Sequence, residues 1–146
     1  MNFARIAAAA VVAWIAWLAI GFFVNTILLV DLAQANAAAM RPEADLNARL
    51  PIGFGVGLLG FFAFAYAYAK GYEGTSGVME GMRFGVLAAL IVIGFGVIWQ
   101  YVVFPISGTM AVVAMIDTLV ELAIYGAIVG AIYKPVASTA SRAAAV

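Results

Sequence analysis

Two acidic residues in the last apolar segment of the chain carry the strongest chemical signal. Asp117 and Glu121 are four residues apart, so a helix places both carboxyl groups on one face. A carboxylate inside a bilayer costs about 3 kcal/mol on insertion scales, so it turns inward, finds a partner or takes up a proton. Counting helical rise from the membrane boundaries predicts a polar layer beside this pair, made of Asn25, Gln100 and Tyr101, with Tyr125 as a further partner.

Two interpretations of the acidic pair stay open at the level of sequence. The carboxyl groups could bond neighbouring helices or subunits, or they could bind a proton or a cation reversibly. An acid/base pair in a membrane enzyme is a third use, but no nucleophile, metal-ligand set or phosphate-binding loop accompanies the two residues. We therefore expect a protein that is not an enzyme.

The residue types that are missing narrow the chemistry further. The 146 residues include no cysteine and no histidine, which are the usual ligands of zinc, copper, haem and iron–sulfur clusters. We therefore predict no metal site and no cofactor. Seven basic residues balance seven acidic ones, so no net charge favours nucleic acid as a partner.

The elements that carry these residues are long uncharged segments. Hydrophobic residues make up 67% of the chain and charged residues 10%, and about 20 apolar residues cross a bilayer. The uncharged runs predict an all-α transmembrane four-helix bundle over residues 1–135, followed by a tail at 136–146. The spans are expected near 6–30, 50–69, 84–104 and 109–133. A cleaved signal peptide is the alternative interpretation of the first run, although the run exceeds a signal core of roughly 7–15 residues.

The basic residues predict an orientation in the membrane. Five of the seven fall on the side that holds both termini and the second loop, and two, Arg41 and Arg49, fall in the first loop. Because positive charge is retained inside, we expect both termini to be cytoplasmic.

Glycines at helical spacing predict how the helices pack. In lipid, small residues allow backbones to approach closely, so we expect helix contacts at Gly53, Gly57, Gly94, Gly96, Gly126 and Gly130. A glycine-lined pore is the alternative. A close-packed bundle of this kind is also expected to associate with itself or with other membrane subunits.

The second loop carries most of the charge near the cytoplasmic boundary. Its charged residues are either anchors of a solvated turn or a docking surface for a partner, and they are Lys70, Glu73, Glu80 and Arg83. A faint internal repeat accompanies them, because Asn25 and Gln100 occupy corresponding positions late in the first and third spans. Duplication of a helical hairpin and ordinary selection at a membrane interface would both produce such a pattern.

A family resemblance rests on residues in the second half of the chain. The pattern Lys70-Gly71-Tyr72-Glu73-Gly74, then Glu80-Gly81-x-Arg83-x-Gly85, an acidic last span and Tyr133-Lys134-Pro135 resembles an uncharacterised family of small bacterial four-span integral membrane proteins. The resemblance implies a four-helix membrane fold in a bacterial cytoplasmic membrane and supplies no activity. The Ala-rich first loop and Asp117 depart from the family pattern.

Taken together, these patterns predict an accessory or scaffold subunit of a homo- or hetero-oligomeric membrane complex, with the lipid bilayer as its solvent. A small proton- or cation-handling transporter or channel that uses Asp117 and Glu121 is the alternative function.

Overall fold

The computed structural model describes residues 1–74 and 76–133, and the predicted tail at 136–146 lies outside the described residues. Four helices in this part are long and apolar enough to cross a membrane, and every regular element in it is helical. The four-helix membrane fold expected from sequence is confirmed. The spans, named 1 to 4 in chain order, are Phe3–Leu28, Glu43–Lys70, Gly77–Val103 and Gly108–Ile132.

Two of the four spans change their helical pitch partway along. Span 1 is an α-helix over Phe3–Phe23 that ends in a π-helical turn over Val24–Leu28. Span 3 is α-helical over Gly77–Val92, π-helical over Ile93–Val97 and α-helical again over Ile98–Val103. A π turn inserts one residue, so side chains beyond it rotate by about 100° relative to a continuous α-helix.

Short elements connect the spans. The chain between spans 1 and 2 forms a helix over Val30–Ala35 and a 3₁₀ turn over Ala37–Ala39. Spans 2 and 4 are single α-helices, Glu43–Lys70 and Gly108–Ile132. Antiparallel packing puts residues 71–74, Ser76 and the N-terminus at one end of the bundle, which we call the terminal end. The connections 29–42 and 104–107 occupy the other end, the loop end.

Spans 3 and 4 form the closest helix pair. Their glycines meet in an antiparallel register, in which Gly77 faces Gly130, Gly81 faces Gly126 and Gly85 faces the backbone of Leu122. A Cβ atom added at any of the three span 3 glycines would overlap a backbone carbonyl of span 4. The absence of side chains is therefore what allows the two backbones to touch.

Spans 1, 2 and 4 enclose a compact core at the terminal end. The alanines Ala9, Ala10 and Ala13 of span 1 are fully buried and pack in one cluster with Tyr68 of span 2 and Val129 of span 4. Aromatic rings extend this core through span 2 and into span 3, with centroid separations of 4.9–6.0 Å between neighbours. The ring pairs are Phe61–Tyr125, Phe64–Phe84, Tyr68–Phe84 and Tyr68–Tyr133.

The loop end is more open than the terminal end. A cavity of about 570 Å³ lies there between the first loop, the end of span 3 and the start of span 4. One hydrogen bond joins the first loop to the chain between spans 3 and 4 near this cavity. The backbone N–H of Ser107 donates to the side-chain oxygen of Asn36 at 2.7 Å. Because Ser107 also caps span 4 by accepting from the Met110 N–H at 3.1 Å, this contact ties the first loop to the start of span 4.

Candidate functional site

A single stripe of span 4 carries the acidic residues. Ala114, Asp117, Glu121 and Tyr125 follow one another at three- or four-residue intervals and therefore share one face of the helix. Glu121 lies 13 residues after Gly108 and 11 before Ile132, which places it near the middle of the span. The stripe thus runs from the open loop end to a buried carboxyl at the centre of the bundle.

Burial increases along this stripe from the loop end towards the terminal end. Asp117 is half-buried, Glu121 is 9% exposed and Tyr125 is 2% exposed. Below Tyr125 the face continues into the fully buried Val129. The acidic stripe therefore opens towards the loop end and is closed towards the terminal end.

Tyr125 carries a polar atom that the described part of the chain does not satisfy. Its hydroxyl oxygen is buried and lacks a hydrogen-bond partner there, while its ring packs edge-on against Phe61 at 5.3 Å. Glu121 lies one turn away, and its carboxyl is close enough to the hydroxyl for a weak hydrogen-bonding interaction, although not at regular hydrogen-bond geometry. A buried hydroxyl of this kind costs free energy, so the site has unused hydrogen-bonding capacity.

No basic side chain within residues 1–74 and 76–133 forms an ion pair with Asp117 or Glu121. The salt bridges found there join Arg41 and Arg49 to Asp45 at the loop end. The same residues contain no group of three acidic, histidine or cysteine side chains that could hold a metal ion. The two carboxyl groups on one face can take up a proton, bind a cation or accept a hydrogen bond from a donor on another helix.

The remaining members of the predicted polar layer are more exposed than the two carboxyl groups of this site. Asn25 is exposed and donates from its side chain to the Gly21 carbonyl of its own helix at 2.8 Å. Gln100 is exposed and lines the loop-end cavity, and Tyr101 is 47% exposed. In the part of the chain that the structure describes, none of the three hydrogen-bonds to Asp117 or Glu121. The predicted depth and facing of these side chains hold for continuous α-helices. Spans 1 and 3 instead contain π turns, which change the rotation of the side chains within and beyond them.

The predicted packing glycines also separate into distinct groups. Gly126 and Gly130 meet the backbone of span 3, and Gly57 faces the Trp17 ring, whose nearest atom would lie 2.9 Å from an added Cβ. Gly53, Gly94 and Gly96 have no atom within 4 Å of such a Cβ. Only some of these glycines, therefore, lie at contacts within one chain.

The charged residues of the second loop are arranged around a buried carboxyl. Glu80 is 9% exposed and accepts a hydrogen bond from the Glu73 backbone N–H at 2.7 Å, which holds the connection between spans 2 and 3. Lys70 is exposed with its ammonium 5.8 Å from the Tyr66 ring centre, and Arg83 is exposed. Lys70 and Arg83 are accessible to a partner, whereas Glu80 is part of the loop structure.

Two long-range hydrogen bonds were not predicted from the sequence. The Asn36–Ser107 hydrogen bond was missed, although an asparagine within an Ala-rich stretch and a serine preceding a span are both typical capping residues. The bond from Trp14 Nε1 to the Phe54 carbonyl at 3.0 Å was also missed. This tryptophan lies mid-span, where its N–H requires a buried acceptor.

Comparisons of the chain with protein-family models, with curated proteins and with solved structures found no match.

Proposed function

We propose that this protein is a non-enzymatic subunit of an oligomeric membrane complex. It resides in the cytoplasmic membrane of a bacterium with both termini in the cytoplasm. The distribution of arginine and lysine along the sequence supports this orientation, since four crossings assign five of the seven basic residues to the side of the termini and the second loop. The oligomer is proposed to contain at least two copies of this chain.

The observation that carries this proposal is the incomplete coverage of polar groups at membrane depth. Asp117 is only half-buried by its own chain, and the exposed Gln100 amide has no hydrogen-bond partner among the described residues. Ionisable and amide side chains in lipid turn towards other protein surfaces, because acyl chains offer them no hydrogen bonds. A neighbouring subunit would supply that protein surface.

The glycines of span 2 support the same proposal. Gly53 and Gly60 share one face of the helix and have open space where a Cβ would lie, although glycines at similar intervals bring spans 3 and 4 into contact. A second copy of span 2 related by two-fold symmetry presents the same small residues, so the two faces are self-complementary.

Cysteine cross-linking tests this arrangement directly, because the sequence has no cysteine of its own. Gly53→Cys should form a dimer on mild oxidation in native membranes. Phe95→Cys, at a residue 85% exposed on span 3, is the matched control and should not. Equal cross-linking at the two positions, together with a monomeric mass in lipid nanodiscs, would refute association of copies through span 2.

Proton or cation handling is the second candidate function, and a separate observation favours it. Glu121 lies near mid-span without a basic partner in the described residues, and the acidic stripe leads from it to the open loop end. We expect Glu121→Gln to abolish proton or monovalent cation flux into liposomes. The control Glu43→Gln, at an exposed residue of the first turn of span 2, should retain it. Flux that is unchanged in Glu121→Gln would exclude this function.

A further inference from the structure

The loop-end cavity combines a charged wall with an apolar wall. The charged wall is the ion pair of Arg41 and Asp45, whose atoms are 2.9 Å apart. The apolar wall consists of the lining side chains of Phe104, Met110 and Ala114, and the volume of about 570 Å³ lies within the range of roughly 300–1,000 Å³ typical of ligand sites. The cavity therefore offers both charged and apolar groups to a ligand.

The position of this cavity along the bundle matches the boundary of a bilayer. Arg41 and Asp45 belong to the first loop and the first turn of span 2, whereas Met110 and Ala114 lie in the first and second turns of span 4. The ion pair is thus at the loop end of the bundle, where lipid headgroups meet a membrane protein, and Ala114 extends the lining one turn further towards the acyl chains.

The ion pair retains unused hydrogen-bonding capacity. A guanidinium has five N–H donors, and Asp45 accepts a bond from Arg41 through one guanidinium nitrogen at 2.9 Å. The Arg41 and Asp45 side chains are 60% and 36% exposed, respectively, so both can meet a ligand. Arg49 bonds to the other oxygen of Asp45, and each carboxylate oxygen keeps a second lone pair. A ligand with both charges can therefore bond to the free donors of Arg41 and to the open lone pairs of Asp45.

The wall of the cavity is held by the contact between the first loop and span 4. Asn36 is 6% exposed, accepts from the Ser107 N–H and donates to the Leu32 carbonyl at 2.8 Å. These bonds fix the first loop against the start of span 4 before a ligand binds. The loop therefore loses less conformational entropy on binding than a free loop would.

We propose that this cavity binds one zwitterionic phospholipid of the phosphatidylethanolamine class. The phosphate oxygens accept hydrogen bonds from Arg41, the ammonium donates to Asp45, and an acyl chain covers Met110 and Ala114. Charged donors and acceptors on the two partners make these bonds of the strong, charge-assisted kind.

A lipid titration followed by native mass spectrometry tests the proposal on the whole chain. The ligand is dioleoyl phosphatidylethanolamine, compared with dioleoyl phosphatidylglycerol and dioleoylglycerol. We expect the ethanolamine lipid to bind most tightly and Arg41→Gln to weaken it by about tenfold, the effect of losing one charge-assisted hydrogen bond. Arg49→Gln is the matched control, because Arg49 also pairs with Asp45 but lies outside the cavity lining.

A second variant tests the apolar wall. Ala114→Phe fills the cavity from span 4 and should reduce binding of the same lipid without changing Arg41. Equal binding by Arg41→Gln and Arg49→Gln would overturn the proposal, as would equal binding of dioleoylglycerol. Competition by soluble glycerophosphoethanolamine at the same concentration as the lipid would assign the cavity to a soluble ligand and overturn the assignment to a membrane lipid.

Discussion

Spans 3 and 4 and the loop-end half of span 2 are both rich in glycine, yet the structure uses the two regions differently. Between spans 3 and 4, Gly81 and Gly126 each occupy the space that the other's Cβ would need. On span 2, Gly53 and Gly60 face open space. Glycine spacing therefore indicates that two backbones are able to approach, while the rotation of each helix decides whether they do.

The difference between the two regions has an energetic consequence. A glycine inside a helix costs about 0.5–1 kcal/mol relative to alanine unless a close contact compensates for it. Spans 3 and 4 recover that cost through backbone contact along three successive helical turns. The exposed glycines of span 2 recover nothing within one chain, which is the energetic argument for contact with another subunit.

Placing a large side chain in the glycine register of spans 3 and 4 should have the largest effect. Gly126→Leu would force the span 4 backbone away from Gly81 and Gly85, and we expect a loss of at least about 3 kcal/mol in the free energy of unfolding. Reversible unfolding in mixed detergent–SDS micelles measures it. The control Gly60→Leu, at an open site, should lose little, and equal losses in the two variants would remove the distinction between the regions.

Gly57 provides a case between these extremes. A Cβ there would lie 2.9 Å from the Trp17 ring edge, which belongs to a side chain and can move more readily than a backbone. We expect Gly57→Leu to lower the free energy of unfolding by about 1–3 kcal/mol, as overpacking usually does. The same unfolding assay reports it, and Trp17 fluorescence should shift as the ring moves. A loss as large as that of Gly126→Leu would contradict this ranking.

The Trp14 hydrogen bond gives a smaller effect on the contact between spans 1 and 2. Trp14→Phe removes the N–H that donates to the Phe54 carbonyl at 3.0 Å, so we expect a loss of about 1 kcal/mol. Urea or SDS titration of the purified protein in detergent provides the measurement. No change in stability would mean that lipid or water satisfies the same groups equally well.

Adding a methyl group to the open face of span 2 should have the smallest effect on a single chain. Gly53→Ala meets no atom within 4 Å, so the unfolding free energy should stay constant or rise by up to about 1 kcal/mol through helix propensity. If span 2 joins two copies, the same variant should weaken dimerisation, which fluorescence energy transfer in liposomes measures. Loss of stability in the isolated monomer would show that Gly53 packs within the chain.

Patterns along the chain predict much of the fold but less of the candidate site. The alignment of Asp117, Glu121 and Tyr125 on one helical face follows directly from their spacing, and the structure places them together. The predicted approach of Asn25 and Gln100 to this face stays a prediction, since neither side chain hydrogen-bonds to Asp117 or Glu121 within the described residues and the π turns in their spans are not evident from hydrophobic length. Asn36 was overlooked because its partner, Ser107, lies 71 residues away in the chain.

The sequence alone determined those features that depend on residue type and on the length of each apolar run. The uncharged runs are long enough for four membrane crossings, and they make lipid the surrounding solvent. Both conclusions depend only on residue type and on the rise of a helix per residue. Tertiary structure alone decided which glycines meet, where the bundle opens and which polar groups are left without partners. Those outcomes depend on how each helix is rotated and tilted against its neighbours, and many rotations are compatible with one apolar sequence.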